Sequence, residues 1–337
     1  MNNSSQTGRE RSDDNHNWNN DNQIAALYEE FISVTNTNVD IAKKMLQKNQ
    51  WNLQQAIGAY FDTPNNEQAS ASNGELFEES RKFKLLSWNI DGLDTDALEV
   101  RTRGVIDVIK KERPDAVFLQ EVIPSSLSQI QIHLPEYEAH LGNVQNYFVV
   151  ILTRKATLTV QSLNLIPYPG TQMGRNLLII HTRYRNTVNI DLMTSHHESG
   201  TEESSSHERM EQLKLCFKKM FDAPSDHFVI FGGDLNMRQK ELYKIGNVPA
   251  GIYDLWFANG KPTDCEYTWD MQLNTNKTFS MSSSRPRARF DRLYFRSSSD
   301  NSIKFQPVGF ELKGLDIIPS VQRFCSDHWA IQVSFSV

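Results

Sequence analysis

From residue 81 to the end of the chain, short apolar runs alternate with polar turns, a pattern typical of β-strands. Two stretches have helical spacing instead, residues 97–112 before Pro114 and residues 204–222 before Pro224. Many strands and few helices predict two sheets packed face to face with helices outside, a four-layer α/β sandwich. The strand-like runs are FKLLSWNI, DAVFLQEV, NYFVVILTR, TVQSLNLIPY, RNLLIIHTRY, TVNIDLMTS, HFVIFGG, RFDRLYFR, IKFQPVGFEL and HWAIQVSFSV.

Residues 23–62 follow a helical pattern in three short bursts, which predicts a small three-helix bundle. Asn38 or Asp40 can cap the second helix, and Asn52 can cap the third. The apolar positions at helical spacing are Ile24, Leu27, Tyr28 and Phe31, then Val39, Ile41, Ala42, Met45 and Leu46, then Leu53, Ala56, Ile57, Tyr60 and Phe61.

Two further segments lack any such pattern. Residues 1–22 are rich in Asn, Ser and charged residues and have almost no apolar ones, so we expect disorder there. Residues 63–80, TPNNEQASASNGELFEES, have the composition of a linker. The sequence therefore predicts four parts, which are a disordered segment 1–22, a helical domain 23–62, a linker 63–80 and an α/β domain 81–337.

Composition limits the class of protein. With 39% hydrophobic residues, the 337-residue chain can build a large core and more than one domain. The apolar runs are far shorter than the ~20 residues of a transmembrane helix, and the N-terminus is polar, so we expect a soluble, unsecreted protein. The 3 cysteines are widely spaced and form no CxxC pair, which argues against a disulfide framework and against a cysteine zinc site.

The formal charge of −6 is unevenly distributed along the chain. Residues 1–80 carry 5 basic and 12 acidic side chains, which leaves 30 basic and 29 acidic ones for the α/β domain. A nearly neutral domain neither supports nor excludes a nucleic-acid substrate, because only a local cluster of basic residues is needed.

Five strand-like runs end in the same way: each is apolar up to its end and then presents a carboxylate, an amide or an imidazole. One such ending is an ordinary turn former. Five of them predict a shared site, because a buried unpaired carboxylate is costly. Turn formation stays open for the single residues Asn89, Asp91 and Asp327, and His181 and His197 are expected to be satisfied core histidines. The five endings are Asn89 and Asp91, Glu121, His196 and Ser199, Asp234 and Asn236, and Asp327 and His328.

The oxygen-bearing residues favour metal-assisted hydrolysis of a phosphodiester. Mg²⁺ prefers oxygen ligands and keeps several waters, so Glu121, with Asn89 and Asp327 nearby, is the predicted metal site. Asp234 follows a tight glycine pair and has Asn236 beside it, which suits the aiming and partial deprotonation of an attacking water.

The two histidines suit the phosphate itself. His196 and His328 can supply positive donors to the phosphoryl oxygens, where negative charge must be stabilised. A histidine in that role needs a carboxylate that orients its ring, and Asp291 in RFDRLYF is the candidate.

The motifs WNIDGL, LQEV, TSHHES, GGDLN, RFDR and CSDHW resemble, in order and spacing, the magnesium-dependent endonuclease/exonuclease/phosphatase family over residues 83–337. The resemblance implies a DNase I-like fold and a Mg²⁺ cofactor, with Mn²⁺ as a substitute. By the same resemblance, Glu121 would hold the metal with help from Asn89, and Asp234 and Asn236 would place the water. The scissile phosphate would be contacted by His196, Ser199, Asn236 and His328.

Within that family, SWNIDGL, MGRNLL, MTSHHES, ERMEQLK, YTWDMQLN, RFDRLYFR and SDHW are similar to the 5′-tyrosyl-DNA phosphodiesterases. This similarity implies hydrolysis of the bond between a topoisomerase II tyrosine and a DNA 5′ end, which leaves a 5′-phosphate during double-strand break repair. It also implies a nuclear location, with the cytoplasm as a second one, and no membrane partner. Ser87 and His197 depart from the pattern, since a threonine and an apolar residue are usual there.

The segment TNTNVDIAKKMLQKNQWNLQQAIGAYFD resembles a ubiquitin-associated (UBA-like) domain, which implies ubiquitin as a partner of residues 23–62. A stabilising bundle, or a dock for another protein, is the alternative. A UBA-like domain ahead of the catalytic domain is also the domain order of the 5′-tyrosyl-DNA phosphodiesterases.

A tyrosyl adduct makes chemical sense as a substrate, because a phenol with a pKa of about 10 leaves more readily than a sugar hydroxyl. Specificity can then come from a narrow site that stacks the bases of a single strand. Trp269 and Tyr147 are candidate stacking residues, with Arg238 able to lie against Trp269, whereas Phe148 is expected in the core.

Two arginines are candidate phosphate contacts. Arg289 belongs to the basic stretch SSSRPRARFDR, for which a solvated loop is the competing interpretation. Arg175, in QMGRNL, has a structural salt bridge as its alternative. For the whole protein, the alternatives are an abasic-site or general DNA nuclease and a ubiquitin-binding adaptor with a non-catalytic hydrolase domain.

Overall fold

The computed structural model of the protein describes residues 14–35, 37, 39–62, 82–277, 285–300 and 302–337. The chain divides into two compact units, Met1–Ser80 and Arg81–Val337. Within the described ranges, no helix is both long enough and apolar enough to cross a membrane. The predicted linker, residues 63–80, lies outside the described residues.

The first unit contains three helices, α1 (Asp14–Thr35), α2 (Val39–Lys48) and α3 (Leu53–Asp62). They enclose a small core in which Phe31 and Leu46 are fully buried. Asn52 Oδ1 accepts a hydrogen bond from the Gln55 backbone N–H over 3.0 Å, so Asn52 caps α3 as predicted. The three-helix bundle is therefore confirmed.

The first helix begins earlier than the sequence predicts. It starts at Asp14, so residues 14–22 are helical where we expected disorder. Extending a helix that tertiary packing has already nucleated fixes few additional dihedral angles per hydrogen bond, which explains how a polar stretch can continue it. Residues 1–13 lie outside the described residues.

The second unit is built mainly from β-strands. Its two predicted helices are observed as α4 (Leu98–Glu112) and α6 (Glu203–Asp222). Shorter helices, which the sequence analysis missed, are α5 (Pro124–His133), α7 (Gln239–Lys244) and α8 (Leu255–Ala258). The strands are β1 (Lys82–Asn89), β2 (Ala116–Val122), β3 (Tyr137–Leu141), β4 (Phe148–Arg154), β5 (Leu158–Pro167), β6 (Asn176–Tyr184), β7 (Val188–Ser195), β8 (Phe228–Asp234), β9 (Ile252–Asp254), β10 (Trp269–Asp270), β11 (Arg287–Ala288), β12 (Asp291–Arg296), β13 (Gln306–Lys313) and β14 (Ala330–Ser336).

The described strands form two six-stranded sheets and one two-stranded sheet. The first sheet has the order β13-β14-β1-β2-β4-β3, and the second has the order β5-β6-β7-β8-β12-β9. The pairs β1/β2 and β7/β8 are parallel, which brings their carboxyl ends to the same edge of each sheet. In both cases a helix provides the crossover, as parallel neighbours require.

Side-chain alternation divides the core into three layers of apolar packing. The inner faces of both sheets meet in one cluster that includes Leu85, Ile190 and Ile230. The outer face of the first sheet packs on α4 and α5, and the outer face of the second packs on α6 and α7. The unit is thus the four-layer α/β sandwich that the sequence predicts, and Phe148 lies in its core as expected.

The inner faces change from apolar to polar at one end of the sandwich. On β1 the inward positions run from Phe83 and Leu85 to Asn89, and on β8 they run from Ile230 to Asp234. Because alternate residues of a strand share a face, these polar side chains point into the same space between the sheets. The end of the inner core is therefore where the site forms.

Candidate active site

The polar strand ends that the sequence singles out converge at this end of the sandwich. Asn89 Nδ2 donates to Glu121 Oε1 over 3.0 Å and to Asp234 Oδ2 over 2.9 Å. His196 Nε2 lies 3.3 Å and His328 Nε2 lies 3.7 Å from the same Asp234 oxygen. Residues far apart in the sequence thus surround one carboxylate.

A backbone irregularity directs Glu121 into this group. The pairing of β2 with β4 shifts between Leu119 and Val122, and Glu121 adopts a positive φ of 54°. A bulge of this kind changes the direction of a side chain without ending the sheet. The carbonyl of Glu121 packs against Gly92, at a distance where any Cβ on residue 92 would collide with it.

The two glycines before Asp234 allow β8 to approach the neighbouring strand closely, as the sequence predicts. Gly233 has a φ of 141°, and a Cβ there would collide with the Ser195 backbone carbonyl. Only glycine tolerates this conformation and this contact. Strand β8 therefore passes close to β7, and Asp234 and His196 emerge side by side.

Asp234 is the centre of the hydrogen-bond network and is 2% exposed. Its Oδ1 accepts from the Asn236 backbone N–H over 2.9 Å, in addition to the contacts at Oδ2. Burial opposes ionisation, but the neighbouring His196 and His328 and the Asn89 hydrogen bond outweigh it and lower the pKa of Asp234. Asp234 is therefore a stable carboxylate that accepts hydrogen bonds.

His328 is held between two carboxylates. Its Nδ1 lies 2.8 Å from Asp291 Oδ2, which also accepts a 2.6 Å hydrogen bond from Thr268 Oγ1. Burial alone would lower the pKa of His328, but Asp291 and Asp234 reverse this effect and raise it well above the ordinary value. His328 is thus a cation with Nε2–H directed toward the cleft, and the prediction that Asp291 orients a histidine agrees with this contact.

The sequence predicts that His196 is a positively charged donor, but the structure makes its imidazole neutral. Burial, followed by the nearby Arg175 guanidinium, lowers the pKa of His196 to about 4 against the opposing effect of Asp234. Near neutral pH the imidazole is therefore neutral. His196 can donate one N–H to a phosphate oxygen, and the positive charge beside it belongs to Arg175.

The acidic groups fit a divalent cation. Burial first, then the charges of Asp327 and Asp234, raise the pKa of Glu121 to about 7 against the Asn89 hydrogen bond and His328. A bound cation would relieve this repulsion, and carboxylate oxygens are suitable ligands for it. Glu121 and Asp327 are the residues that would hold such an ion.

Asn89, a further predicted metal ligand, makes hydrogen bonds to protein groups through both ends of its amide, and its role toward a metal stays a prediction. Its oxygen accepts the Asp91 backbone N–H over 2.9 Å, and its nitrogen faces Glu121 and Asp234. Through its nitrogen, Asn89 holds the two carboxylates in place.

Comparisons with known proteins agree with this arrangement. Residues 86–328 match the Endonuclease/Exonuclease/phosphatase family. The chain belongs to the endonuclease/exonuclease/phosphatase family. Residues 25–67 also match the UBA-like domain, so the N-terminal bundle is of that type.

Several similar members of this family carry the same name. Human tyrosyl-DNA phosphodiesterase 2 is 34% identical, with 91% of this chain and 91% of the human protein covered. The Gallus gallus protein of that name is 36% identical, with 92% of this chain and 90% of its own length covered.

Solved structures of similar proteins show the same fold. The crystal structure of D. rerio TDP2 with a single-strand DNA product superposes with a TM-score of 0.72 at 38% identity, over 76% of this chain and 99% of that one. The structure of TDP2 from C. elegans gives a TM-score of 0.69 at 28% identity, over 100% of this chain and 98% of that one.

In this member of the endonuclease/exonuclease/phosphatase family, the predicted substrate residues lie on two sides of the site. On one side the Arg175 guanidinium lies 4.9 Å from the centre of the Tyr147 ring, and Ser199 Oγ lies 3.3 Å from Met173 Sδ. Arg175 also contacts that sulfur over 3.5 Å, so these residues form one cluster beside His196.

On the other side, Trp269 Nε1 donates to Asp327 Oδ2 over 3.2 Å, and Trp269 packs against the Phe290 ring at 5.4 Å. Arg238 lies over Phe290, with its guanidinium 5.2 Å from the ring centre. The predicted approach of Arg238 to Trp269 stays a prediction, and both side chains pack against Phe290.

The prediction that Arg289 grips DNA is wrong. Its guanidinium donates two hydrogen bonds to Asp254 over 2.9 Å and 3.0 Å and lies 4.6 Å from the Trp256 ring. The side chain is 8% exposed, so its charge is neutralised inside the protein instead of facing a phosphate. A sequence pattern of basic residues cannot show that a distant aspartate on β9 pairs with one of them.

Sequence reasoning also missed residues that support the site. Thr268 bonds to Asp291, but a threonine before a tryptophan gives no signal of such a role. Arg209 donates to the carbonyls of Glu198 and Gly200 over 3.0 Å and 2.9 Å, and so holds the loop after His196. An arginine inside the helical pattern of residues 204–222 gives no sequence signal of such a role.

Proposed function

We propose that the protein is a Mg²⁺-dependent phosphodiesterase that hydrolyses the bond between a tyrosine and a DNA 5′ phosphate. The convergence of Glu121, Asp234, His196 and His328 on one cleft carries this proposal. The name tyrosyl-DNA phosphodiesterase 2, shared by relatives of nearly full length, supports the substrate. The single-strand DNA product in the D. rerio structure supports a DNA end as the ligand.

Mg²⁺ is the proposed ion because the available ligands are carboxylate oxygens and Glu121, with a side chain 17% exposed, leaves room for water ligands. Glu121 and Asp327 would hold it. When bound, the ion would polarise the phosphate and stabilise negative charge on its oxygens. Mn²⁺ has similar ligand preferences and is the expected substitute.

Asp234 is proposed to orient the attacking water. As an ionised carboxylate it accepts a hydrogen bond from the water and directs an oxygen lone pair toward phosphorus. The Asn236 backbone N–H fixes the second carboxylate oxygen, so the orientation of Asp234 is determined before the substrate binds. The phenol leaves with little need of a proton donor, since its pKa is about 10.

The two histidines are proposed to bind the phosphoryl oxygens from different sides. His328 contributes a cation whose ring is fixed by Asp291, and His196 contributes a neutral Nε2–H. Fixed donors of this kind stabilise the transition state because they need no rearrangement during the reaction. Tyr147 and Trp269, on opposite sides of the site, are candidates for stacking on the bases.

An assay with a 5′-phosphotyrosyl oligonucleotide tests the proposal. We expect release of tyrosine and a 5′-phosphate end, complete loss in excess chelator, and recovery with Mg²⁺ or Mn²⁺. Glu121→Gln and Asp234→Asn should each reduce kcat by roughly 100-fold or more. Unmodified duplex and abasic-site DNA serve as parallel substrates, and preferential cleavage of either would identify a nuclease instead.

For the N-terminal unit we propose ubiquitin as the partner. The UBA-like match supports this, and two exposed apolar residues, Val34 and Val39, flank the connection between α1 and α2. Exposed apolar side chains of this kind are suited to a protein contact. Titration of the full chain with ubiquitin should show binding that is lost in Val34→Asp/Val39→Asp, with phosphodiesterase activity unchanged. Equal ubiquitin binding by the variant would contradict this assignment.

A DNA substrate also supports a nuclear location, with a cytoplasmic fraction. Imaging of the full chain in cells before and after topoisomerase II poisoning would test it. Exclusion from the nucleus under both conditions would contradict the proposal.

A further inference from the structure

A second group of potential metal ligands lies outside the active site. His181 on β6 and His227, just before β8, both direct Nδ1 at Oδ1 of Asp191 on β7, over 2.7 Å and 2.8 Å. One ligand atom from each of the three side chains lies within 4.8 Å of the other two. Three separate segments of the second sheet thus bring two imidazoles and a carboxylate to one point.

The carboxylate in this group is incompletely satisfied. Asp191 is fully buried, and its Oδ2 has no hydrogen-bond partner among the described residues. Its neighbour Met193, which shares the same face of β7, belongs to an apolar cluster. A buried carboxylate oxygen without a partner is costly, so this group has capacity for a further positive ligand.

We propose that His181, Asp191 and His227 bind a divalent transition-metal ion, with Zn²⁺ as the representative ion. Two imidazole nitrogens and one carboxylate match the ligands that Zn²⁺ takes, whereas Mg²⁺ prefers oxygen alone. The ion takes the place of the two Nδ1 hydrogens that bond to Asp191, and each metal-bound imidazole then carries its single proton on Nε2 instead of Nδ1. Tetrahedral ligands at about 2.0–2.1 Å from zinc lie roughly 3.3 Å apart, so each nitrogen must move away from the Asp191 oxygen by roughly 0.6 Å.

The surroundings allow an ion to enter and be held. A cavity of about 500 Å³ borders the group and is lined by His181, His227 and Arg183. The two histidine side chains are 25% and 19% exposed, so water can complete the coordination from the cavity side. The side-chain amide of Asn164 lies 3.3 Å from His181 Nε2, where its oxygen can accept the remaining ring proton after an amide flip.

The site is separate from the phosphodiesterase site. Asp191 precedes Ser195, the last residue of β7, by a rise of roughly 13 Å along the strand. Bound metal would link β6, β7 and the segment before β8, and would therefore stabilise the folded state by mass action. We therefore expect catalysis at the carboxyl end of β7 to be independent of this ion.

Zinc binding by the full-length protein tests the proposal. The metal-free protein is titrated with ZnCl₂ in excess Mg²⁺, and bound zinc is counted in wild-type and in His227→Gln. His207→Gln is the matched control, because His207 is an exposed histidine on α6. We expect wild-type and the control to bind one more zinc ion per chain than His227→Gln.

Thermal unfolding gives an independent readout. Zn²⁺ should raise the Tm of wild-type and of His207→Gln. The rise should be smaller in His227→Gln, which lacks one of the three proposed ligands. If His227→Gln fails to fold, His181→Gln provides the same comparison. Equal zinc stoichiometry and equal Tm shifts in wild-type and both site variants would overturn the proposal. Normal turnover of the phosphotyrosyl substrate by the variants shows that their fold is intact.

Discussion

Arg175 donates a hydrogen bond from its guanidinium to Nδ1 of His196 over 2.7 Å. A guanidinium group only donates, so Nδ1 must be the unprotonated ring nitrogen. The single ring proton then resides on Nε2, which faces Asp234 over 3.3 Å. One arginine thus determines both the tautomer and the orientation of a histidine in the cleft.

Replacement of Arg175 should therefore impair catalysis more than binding. We expect Arg175→Ala to lower kcat on the phosphotyrosyl oligonucleotide by roughly 10-fold to 100-fold, the usual effect of removing a partner that orients a histidine. Arg175→Lys should retain more activity, because lysine is also only a donor. Steady-state kinetics separates the two effects, since loss of a direct phosphate contact alone would raise KM at unchanged kcat.

Arg185 provides the control for this substitution. It also lies over a tyrosine ring, with its guanidinium 5.2 Å from the centre of Tyr184, but no described contact connects it to the site. Arg185→Ala should leave kcat and KM unchanged. A wild-type kcat in Arg175→Ala would contradict the positioning role.

Asp291 should affect catalysis by keeping His328 protonated and oriented. In Asp291→Asn the carboxylate that raises the pKa of His328 is replaced by a neutral amide, so the cation in the cleft loses its main partner. We expect kcat to fall by roughly 100-fold or more, as in other enzymes where the carboxylate partner of a histidine becomes an amide. Thr268→Val removes only the 2.6 Å hydrogen bond to Asp291 and should cost less. Equal activities of Asp291→Asn and wild-type would show that His328 acts without this support.

The sequence was sufficient for the architecture because the relevant signals are local. Alternation along β1 and β8 is visible in the chain, and it already places Asn89 and Asp234 at the polar ends of apolar faces. The helical periods of residues 97–112 and 204–222 correspond to α4 and α6 within a residue at each end. The N-terminal helix was underestimated because its first residues are polar and have no apolar period.

The sequence could not predict which residue each charged side chain contacts, because these contacts join distant segments of the chain. The sequence offers Arg175 and Arg289 as equivalent phosphate contacts. The fold places Arg175 against His196, and it places Arg289 in a buried ion pair with Asp254. The neutral state of His196 likewise follows from burial and from Arg175, neither of which a motif encodes.

Gly92 should be required for the position of Glu121. A Cβ on residue 92 would collide with the Glu121 carbonyl, so Gly92→Ala must displace the bulge that directs this carboxylate into the site. A displacement of about 1 Å can cost roughly 100-fold in rate, and we expect a loss of that order together with a higher Mg²⁺ concentration for half-maximal activity. Mg²⁺ titration of the activity measures both.

The matched control is Gly58→Ala in α3, where nothing lies within 4 Å of the added Cβ. Alanine is favoured over glycine inside a helix, so this variant should keep full activity and gain up to about 1 kcal/mol in free energy of unfolding. If Gly92→Ala were as active as Gly58→Ala, the close contact with Glu121 would not be what positions the carboxylate.

The ion pair between Arg209 and Glu241 should make stability depend on acid pH. Both side chains are 1% exposed and their atoms approach to 2.6 Å. Burial opposes ionisation of Glu241, but hydrogen bonds from Arg209, the Arg238 backbone and Ser206 outweigh it and lower its pKa. Because the carboxyl pKa is lower in the folded state, the full stabilisation is present when the pH is above the pKa of the unfolded state. It is lost as the pH falls through the pKa of the folded state.

Glu241→Gln should therefore lower the free energy of unfolding at neutral pH by roughly 3 kcal/mol, because it leaves the Arg209 charge buried without its partner. The difference between variant and wild-type should begin to shrink once the pH falls below the pKa of Glu241 in the unfolded chain, where the unfolded state takes up a proton first, and should vanish below the lower pKa of the folded state. Urea unfolding of both proteins across this range measures the effect. A difference that stays constant with pH would mean that Glu241 contributes through packing and not through its charge.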